Sequence, residues 1–282
     1  MNLNEPLVGL FDSGVGGLSI LHAVHDLLPA QPLFYLADQS HVPYGERKAE
    51  EVLHYSRQIT RFLRSQRVVL IVIACNTASA VALQTLRTEF PDIPFVGMEP
   101  AVKPASQHTR SGVVGVLATP TTFQGELFST LVEHFAKNVK IIPHTCPGLV
   151  NEIEAGNLKG DKARSILKKA IQPMLDEGAD TLVMGCTHYP FIVPLIRQIF
   201  GYDLEIIDPS AAIAQRVKHL LAENGWLADG HQKGKITIAT TGDARELEKK
   251  LPLFMGDEYP VIPLQWQHDT IQFLKYTTST IR

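Results

Sequence analysis

The chain has 282 residues, 45% of them hydrophobic and 20% charged, with 26 Lys+Arg against 29 Asp+Glu for a formal net charge of −3. That length suits two domains of ordinary size, and its hydrophobicity excludes an intrinsically disordered chain. With 20 Gly, 18 Pro and 3 Cys, neither a collagen-like nor a disulfide-stapled scaffold fits, and the balanced charge argues against a nucleic-acid partner.

Met1–Pro6 carries no basic segment leading into an apolar stretch, and the apolar run after it soon meets Asp12 and Ser13, so no secretory signal is expected. The longest apolar run, Val68–Ala74, is strand-sized and far short of a membrane span. An odd, small number of cysteines then points to free thiols in a reducing cytosol, and to a cytoplasmic enzyme.

In chain order, short apolar runs predict strands at Leu7–Phe11, Leu33–Ala37, Val68–Ala74, Phe95–Met98, Val113–Leu117, Val139–Pro143, Thr181–Met184, Glu205–Ile207 and Ile236–Ala239. Between them, amphipathic patterns predict helices at Ala49–Arg64, Ala78–Glu89, Thr121–Ala136, Lys162–Glu177 and Ala211–Ala222. Buried strands alternating with helices give an α/β fold with mostly parallel sheets.

Three segments recur in one order. Val8–Ser13 is echoed 106 residues on by Val114–Thr119, Val72–Thr77 by Val183–His188 with its cysteines 111 apart, and Ile93–Pro100 by Asp203–Pro209 with its acidic-Pro pairs 109 apart. A duplicated unit follows. The expected architecture is two pseudo-symmetric α/β domains, each a mostly parallel sheet flanked by helices. Residues 1–98 plus 209–282 form the first and 99–208 the second, with the site in the cleft between them.

Cys75 and Cys186 each follow an apolar run and precede polar residues that open a helical pattern. Ligand sites in parallel sheets gather beyond the carboxyl ends of strands, and a helix N-terminus there lowers a thiol's pKa. Alone, a cysteine in an apolar run is more often a buried small hydrophobe. Matched placement in both repeats argues instead for an acid and a base on opposite faces of one small ligand, an arrangement that removes a proton from one face of a carbon and returns it to the other.

Asp12-Ser13-Gly14-Val15-Gly16-Gly17 is a glycine-rich turn straight after the first strand. It fails the dinucleotide pattern, because Ser19 stands where the third glycine belongs, and no Gly-Lys-Ser/Thr follows; no nucleotide cofactor is expected. Its N–H groups and the Ser13 hydroxyl are candidates to hold a polar group of a ligand, with Asp12 facing an ammonium or polarising a thiol; the alternative for Asp12 is a helix N-cap. Pro43, Tyr44 and Gly45 form either a ligand-facing loop or an ordinary Pro-Gly turn. Asn76, Thr77, Thr119, Thr122, Thr187 and His188 are candidate carboxylate donors or helix caps, and His188 is also placed to tune the Cys186 thiol. Cys146 has no counterpart in the first repeat; without C-x-x-C or H-x-x-x-H spacing it reads as structural, and no metal site is expected. Glu152 and Glu154 read as solvated charges on a loop or short helix.

Together, Val8–Leu18, Val42–Gly45, Ala74–Ser79 and Gly185–Pro190 closely resemble the glutamate racemases of the cofactor-independent aspartate/glutamate racemase superfamily, a similarity that extends from about Leu7 to Ala212. The resemblance implies interconversion of L- and D-glutamate without pyridoxal phosphate or metal, supplying D-glutamate for peptidoglycan, in a cytoplasmic homodimer. It implies that Cys75 deprotonates D-glutamate and Cys186 the L-form, that Asp12 and His188 assist the thiols, and that Ser13, Pro43, Tyr44, Gly45, Asn76, Thr77, Thr119, Thr122 and Thr187 bind substrate. Glu154 is the counterpart of the family's assisting glutamate, although the segment Gly148–Gly156 departs from the usual pattern. The alternatives are an aspartate or other amino-acid racemase, a non-catalytic small-ligand regulator and, disfavoured by the absence of C-x-x-C, a thiol-redox protein.

Overall fold

A computed structural model describes residues 6–230 and 232–274. The chain begins β1 (Leu7–Asp12), α1 (Leu18–Leu27), β2 (Leu33–Ala37), α2 (Ala49–Ser65), β3 (Val68–Ile73), α3 (Asn76–Glu89) and β4 (Phe95–Gly97). After α4 (Val102–His108) come β5 (Val113–Ala118), α5 (Pro120–Gln124), α6 (Glu126–Phe135), β6 (Lys140–His144), α7 (Leu149–Glu154), α8 (Asp161–Asp176), β7 (Thr181–Gly185), α9 (Val193–Phe200) and β8 (Glu205–Ile207). It closes with α10 (Ser210–Glu223), β9 (Ile236–Thr240), α11 (Ala244–Met255), β10 (Val261–Gln267) and β11 (Thr270–Phe273). Among the described residues no helix is long and apolar enough to cross a membrane.

Two sheets result, ordered β11-β10-β9-β2-β1-β3-β4 and β6-β5-β7-β8. The shared pattern β2-β1-β3-β4 and β6-β5-β7-β8 is the duplicated unit, with β1 matching β5 and β3 matching β7. Every pairing is parallel except β10 with β11. Parallel strands covered by helices on both faces must be apolar throughout, and β1, β2, β3 and β7 are buried almost end to end. In α2, Val52, Ile59 and Leu63 recur on one face and are buried, while the Glu51 carboxylate accepts from the Lys48 N–H at the helix start (3.2 Å).

Beyond helices α1, α4 and α9, which the sequence reading does not name, three regions differ most from expectation. The helix expected over Thr121–Ala136 is two, because Gly125 is extended (φ −68°, ψ 139°) and both ends α5 and starts α6. The strand expected at Val139–Pro143 is shifted to Lys140–His144 and half-exposed, because it lies at the edge of its sheet. The C-terminal remainder carries a helix and two strands more than expected. Asp243 caps α11 by accepting from the Arg245 (2.9 Å) and Glu246 (3.2 Å) N–H groups, and β9 pairs with β2, so this segment extends the first sheet.

Leu10 is fully buried in β1, between β2 and β3. Leu10→Ala is expected to cost about 2–5 kcal/mol, seen as a lower urea midpoint with an unchanged slope.

Candidate functional site

Six strand ends converge on one cavity of about 110 Å³, several times the roughly 10–15 Å³ that a single water requires. The first sheet contributes Ser13 after β1, Pro43, Tyr44 and Gly45 after β2, and Cys75, Asn76 and Thr77 after β3. From the second come Thr119 after β5, Thr145, Cys146 and Val150 after β6, and Cys186, Thr187 and His188 after β7. Loops beyond the carboxyl ends of parallel strands are where such folds place ligands, and the duplication brings two sets of them together. Asp12, Glu154 and Thr122, also singled out from the sequence, stand one layer behind the cavity wall.

Cys75 is the N-cap of α3, its Sγ accepting from the Ala78 N–H (3.5 Å). The helix-end argument predicts a lowered pKa here, and the site reverses it. Burial, followed by the charge on Asp12, pushes the thiol well above its ordinary value, outweighing the N–H groups of Ala78 and Ser13. Asn76 follows at the first turn of α3, 3% exposed, and neither its amide nitrogen nor its amide oxygen has a hydrogen-bond partner among the described residues. A buried amide left unpaired costs about 1–3 kcal/mol, which a ligand able to bond it recovers.

Around Cys186 the surroundings have the opposite sign. His188 Nδ1 lies 3.7 Å from Cys186 Sγ, and Nε2 donates to Glu154 Oε1 at 2.6 Å. Burial works against a charged imidazole, but the bonds to Cys186 and Glu154 and the charges there raise His188 well above its ordinary value, so it carries a proton at neutral pH. Burial also opposes the Glu154 charge, yet His188, the Val15 N–H (2.7 Å) and the Gln39 amide (3.2 Å) hold that carboxyl below its usual range. Glu154 is thus a buried partner of His188 at the end of α7, and not the solvated charge that its sequence context predicts.

Asp12 Oδ1 accepts from the Gly14 N–H (2.8 Å) and Oδ2 from the Thr187 hydroxyl (3.0 Å). It caps no helix, since α1 begins after Gly17. Thr119 accepts from the Thr122 N–H (3.2 Å) as the cap of α5, and its hydroxyl meets those of Thr77 (3.0 Å) and Thr122 (2.9 Å). All three cysteines are free. Cys146 lines the cavity, and burial together with the charge on Cys186 pushes its thiol to about 12. Among the described residues no group of three or more His, Cys, Asp or Glu is placed to hold a metal ion.

The sequence expectations missed Thr145 and Val150 in the wall and Asp38 behind Tyr44. Asp38 had a visible signal: an acidic residue directly after a strand, the position Asp12 occupies at the end of the neighbouring strand.

The signature of the Asp/Glu/hydantoin racemases matches residues 18–217. The chain belongs to the Asp/Glu/hydantoin racemase family. Within it, the chain is 47% identical over 266 residues to a glutamate racemase of Pseudomonas entomophila (strain L48), covering 94% of this chain and 100% of that one. Among solved structures of this family it is similar to a glutamate racemase of Bacillus anthracis (TM-score 0.84, 30% identity, 94% of this chain and 98% of that chain). It is also similar to the Escherichia coli glutamate racemase solved with L-glutamate and the activator UDP-MurNAc-Ala (TM-score 0.79, 32% identity, 91% of this chain and 97% of that chain).

Burial raises the Asp12 carboxyl from 3.8 to about 6, against the lowering effects of His188, Gly14 and Thr187. Between those values the folded racemase-family chain holds a proton that the unfolded chain has released. This contribution to stability is complete below 3.8 and lost as pH rises through about 6, a change of about 3 kcal/mol. Relative to Asp12→Asn, the wild type is therefore expected to lose that much stability between pH 4 and pH 7.5, measured by urea unfolding.

Proposed function

We propose that the chain is a glutamate racemase that interconverts L- and D-glutamate by two-base proton transfer at the α-carbon. The observation that carries this is the pair of buried thiols, Cys75 and Cys186, at equivalent positions of a duplicated unit and on the wall of one cavity. The identity to curated glutamate racemases favours glutamate over other amino acids. We take residues 1–98 plus 209–282 and 99–208 as the two halves of the cleft, a division supported by β1–β4 and β9–β11 sharing one sheet and β5–β8 the other. The D-glutamate product serves peptidoglycan synthesis in the cytoplasm, which suits a chain with three free thiols.

The α-hydrogen of an amino acid is a very weak acid, and no cofactor is invoked to take up its electrons. The cleft must therefore exclude water and aim donors at the carboxylate, where charge builds. Asn76 offers its unpartnered amide for this, and Ser13, Thr77 and Thr119 add hydroxyls in the cavity wall. Starting from L-glutamate, Cys186 takes the α-proton on one face and Cys75 returns its own on the other. His188, held charged by Glu154, aims an N–H at the Cys186 sulfur, where charge changes as that sulfur gains or gives up a proton. Cys75, beside Asp12 and raised by burial, starts the L-to-D direction protonated, as a donor must. In the reverse direction the substrate ammonium brings the positive charge that the Cys75 surroundings lack.

Cys75→Ser and Cys186→Ser are each expected to lower racemisation more than about 100-fold, followed by circular dichroism of L- or D-glutamate in both directions. Cys146→Ser, outside the repeat equivalence, is expected to retain most activity. Wild type run in D₂O should label the glutamate α-carbon and leave L-aspartate nearly untouched. A fully active Cys75→Ser variant would refute the two-base scheme, and binding without labelling would make the protein a sensor.

A further inference from the structure

Asp38 sits fully buried at the end of β2, and none of the chemistry above uses it. Its Oδ2 accepts the Tyr44 hydroxyl (2.6 Å) and lies 2.9 Å from His41 Nδ1. Its Oδ1 accepts the Thr241 hydroxyl (2.7 Å) and the Trp266 indole N–H (2.7 Å). A carboxylate has about four lone-pair sites, so this one is saturated. Two of its partners come from the ligand-facing loop and its approach, and two from the far C-terminal part of the chain.

Tyr44 stands in the cavity wall and its hydroxyl donates to Asp38. Its place in the wall is therefore held by a charge-assisted hydrogen bond. Burial and the Asp38 charge keep the phenol well above its ordinary value, so it stays a donor. The approach to the loop is fastened too: the Ser40 N–H donates to Thr241 Oγ1 (3.1 Å) and the Ser40 hydroxyl to the Thr241 carbonyl (2.6 Å). The His41 ring stacks on Tyr55 (3.8 Å between centroids, 13° between planes), which in turn meets Trp266 edge-on (5.6 Å, 65°).

We propose that Asp38 is a positioning residue that fixes the substrate-facing loop Pro43–Gly45 against Thr241 and Trp266 of the C-terminal extension, so that the closing edge of the amino-acid site is set by the last third of the chain. The proposal rests on the reading of the cleft as a glutamate site. Loss of the Asp38 bond to Tyr44 loosens the loop that meets the ligand while leaving the two thiols and His188 in place, so it weakens substrate binding more than it slows proton transfer.

The test is steady-state kinetics of the full chain with L- and D-glutamate. Asp38→Asn keeps the side chain's size but puts N–H groups where Tyr44 and His41 donate; it is expected to raise KM about tenfold and to leave kcat within about threefold. Tyr44→Phe, which keeps the ring and removes the hydroxyl, should give a similar rise, and the double variant should be no worse than either single one. Unchanged KM in a folded Asp38→Asn, or effects of the two substitutions that multiply, would overturn the assignment. Should Asp38→Asn not fold, the same cycle with Trp266→Phe and Tyr44→Phe decides by the same outcomes. A wild-type chain inert toward glutamate overturns both this and the racemase reading, whereas an active wild type with unmoved variants overturns only the role of Asp38.

Discussion

The charged pair His188–Glu154 is the constraint around which the cleft is built. Both groups are largely withdrawn from water, at 3% and 13% side-chain exposure, and a buried pair stripped of one partner leaves an uncompensated charge that costs about 3–5 kcal/mol. The pair itself stands in the loops of the second sheet, His188 after β7 and Glu154 at the end of α7. Glu154 also accepts from the Val15 N–H and the Gln39 amide, so the two halves of the molecule meet through its carboxylate. This explains the glycines after β1. A Cβ at Gly14 would collide with the Glu154 carboxylate and one at Gly16 with the His188 ring, so the turn is glycine-rich because it docks against the pair.

Duplication supplies the geometry of the site but not its electrostatics. In the repeat alignment Asp12 matches Ala118, and His188 matches Thr77. The first thiol therefore has a carboxylate for a neighbour and the second an imidazolium, although each hangs from an equivalent strand end. In the two-base reading proposed above, divergence at these two positions distinguishes the donor from the acceptor in a given direction of turnover, while the shared β2-β1-β3-β4 and β6-β5-β7-β8 order keeps the sulfurs on the same cavity.

The central strands were legible because parallel strands with helices on both faces must be continuous apolar runs, and Val68–Ile73 or Thr181–Gly185 can be little else. Legibility failed where burial is one-sided or broken. Pro263 in β10 masks a strand that lies near the sheet edge, and β11 has one buried residue in four. Of the site, the residues that touch the cavity stood in the first few positions after strands, where sequence reasoning looks. Gln39 and Lys250 act through partners more than 90 residues away in sequence, as do two of the four groups bonded to Asp38, and no local pattern announces such a bond. The direction of the Cys75 shift was missed for a related reason: a helix end is visible in sequence, whereas the desolvation that outweighs it exists only once both halves have closed around the thiol.

The extension beyond the repeat is where the two halves cease to be equivalent in support as well as in charge. Consecutive threonines at the end of β9 take hold of consecutive residues at the end of β2: Thr240 donates to the Gln39 amide oxygen (3.0 Å) and Thr241 to the Asp38 carboxylate (2.7 Å). From Gln39 the contacts run to Glu154, His188 and Cys186, and from Asp38 to Tyr44 at the cavity wall. Lys250 in α11 adds a bond to the Glu154 carbonyl (2.9 Å). A duplicated fold open on the β2 side would leave this side chain and loop to find their own positions in water, at the entropic cost of ordering them on each encounter with ligand. Adding strands to that edge orders them beforehand, which is why a segment with no wall residue among its described residues still belongs to the site.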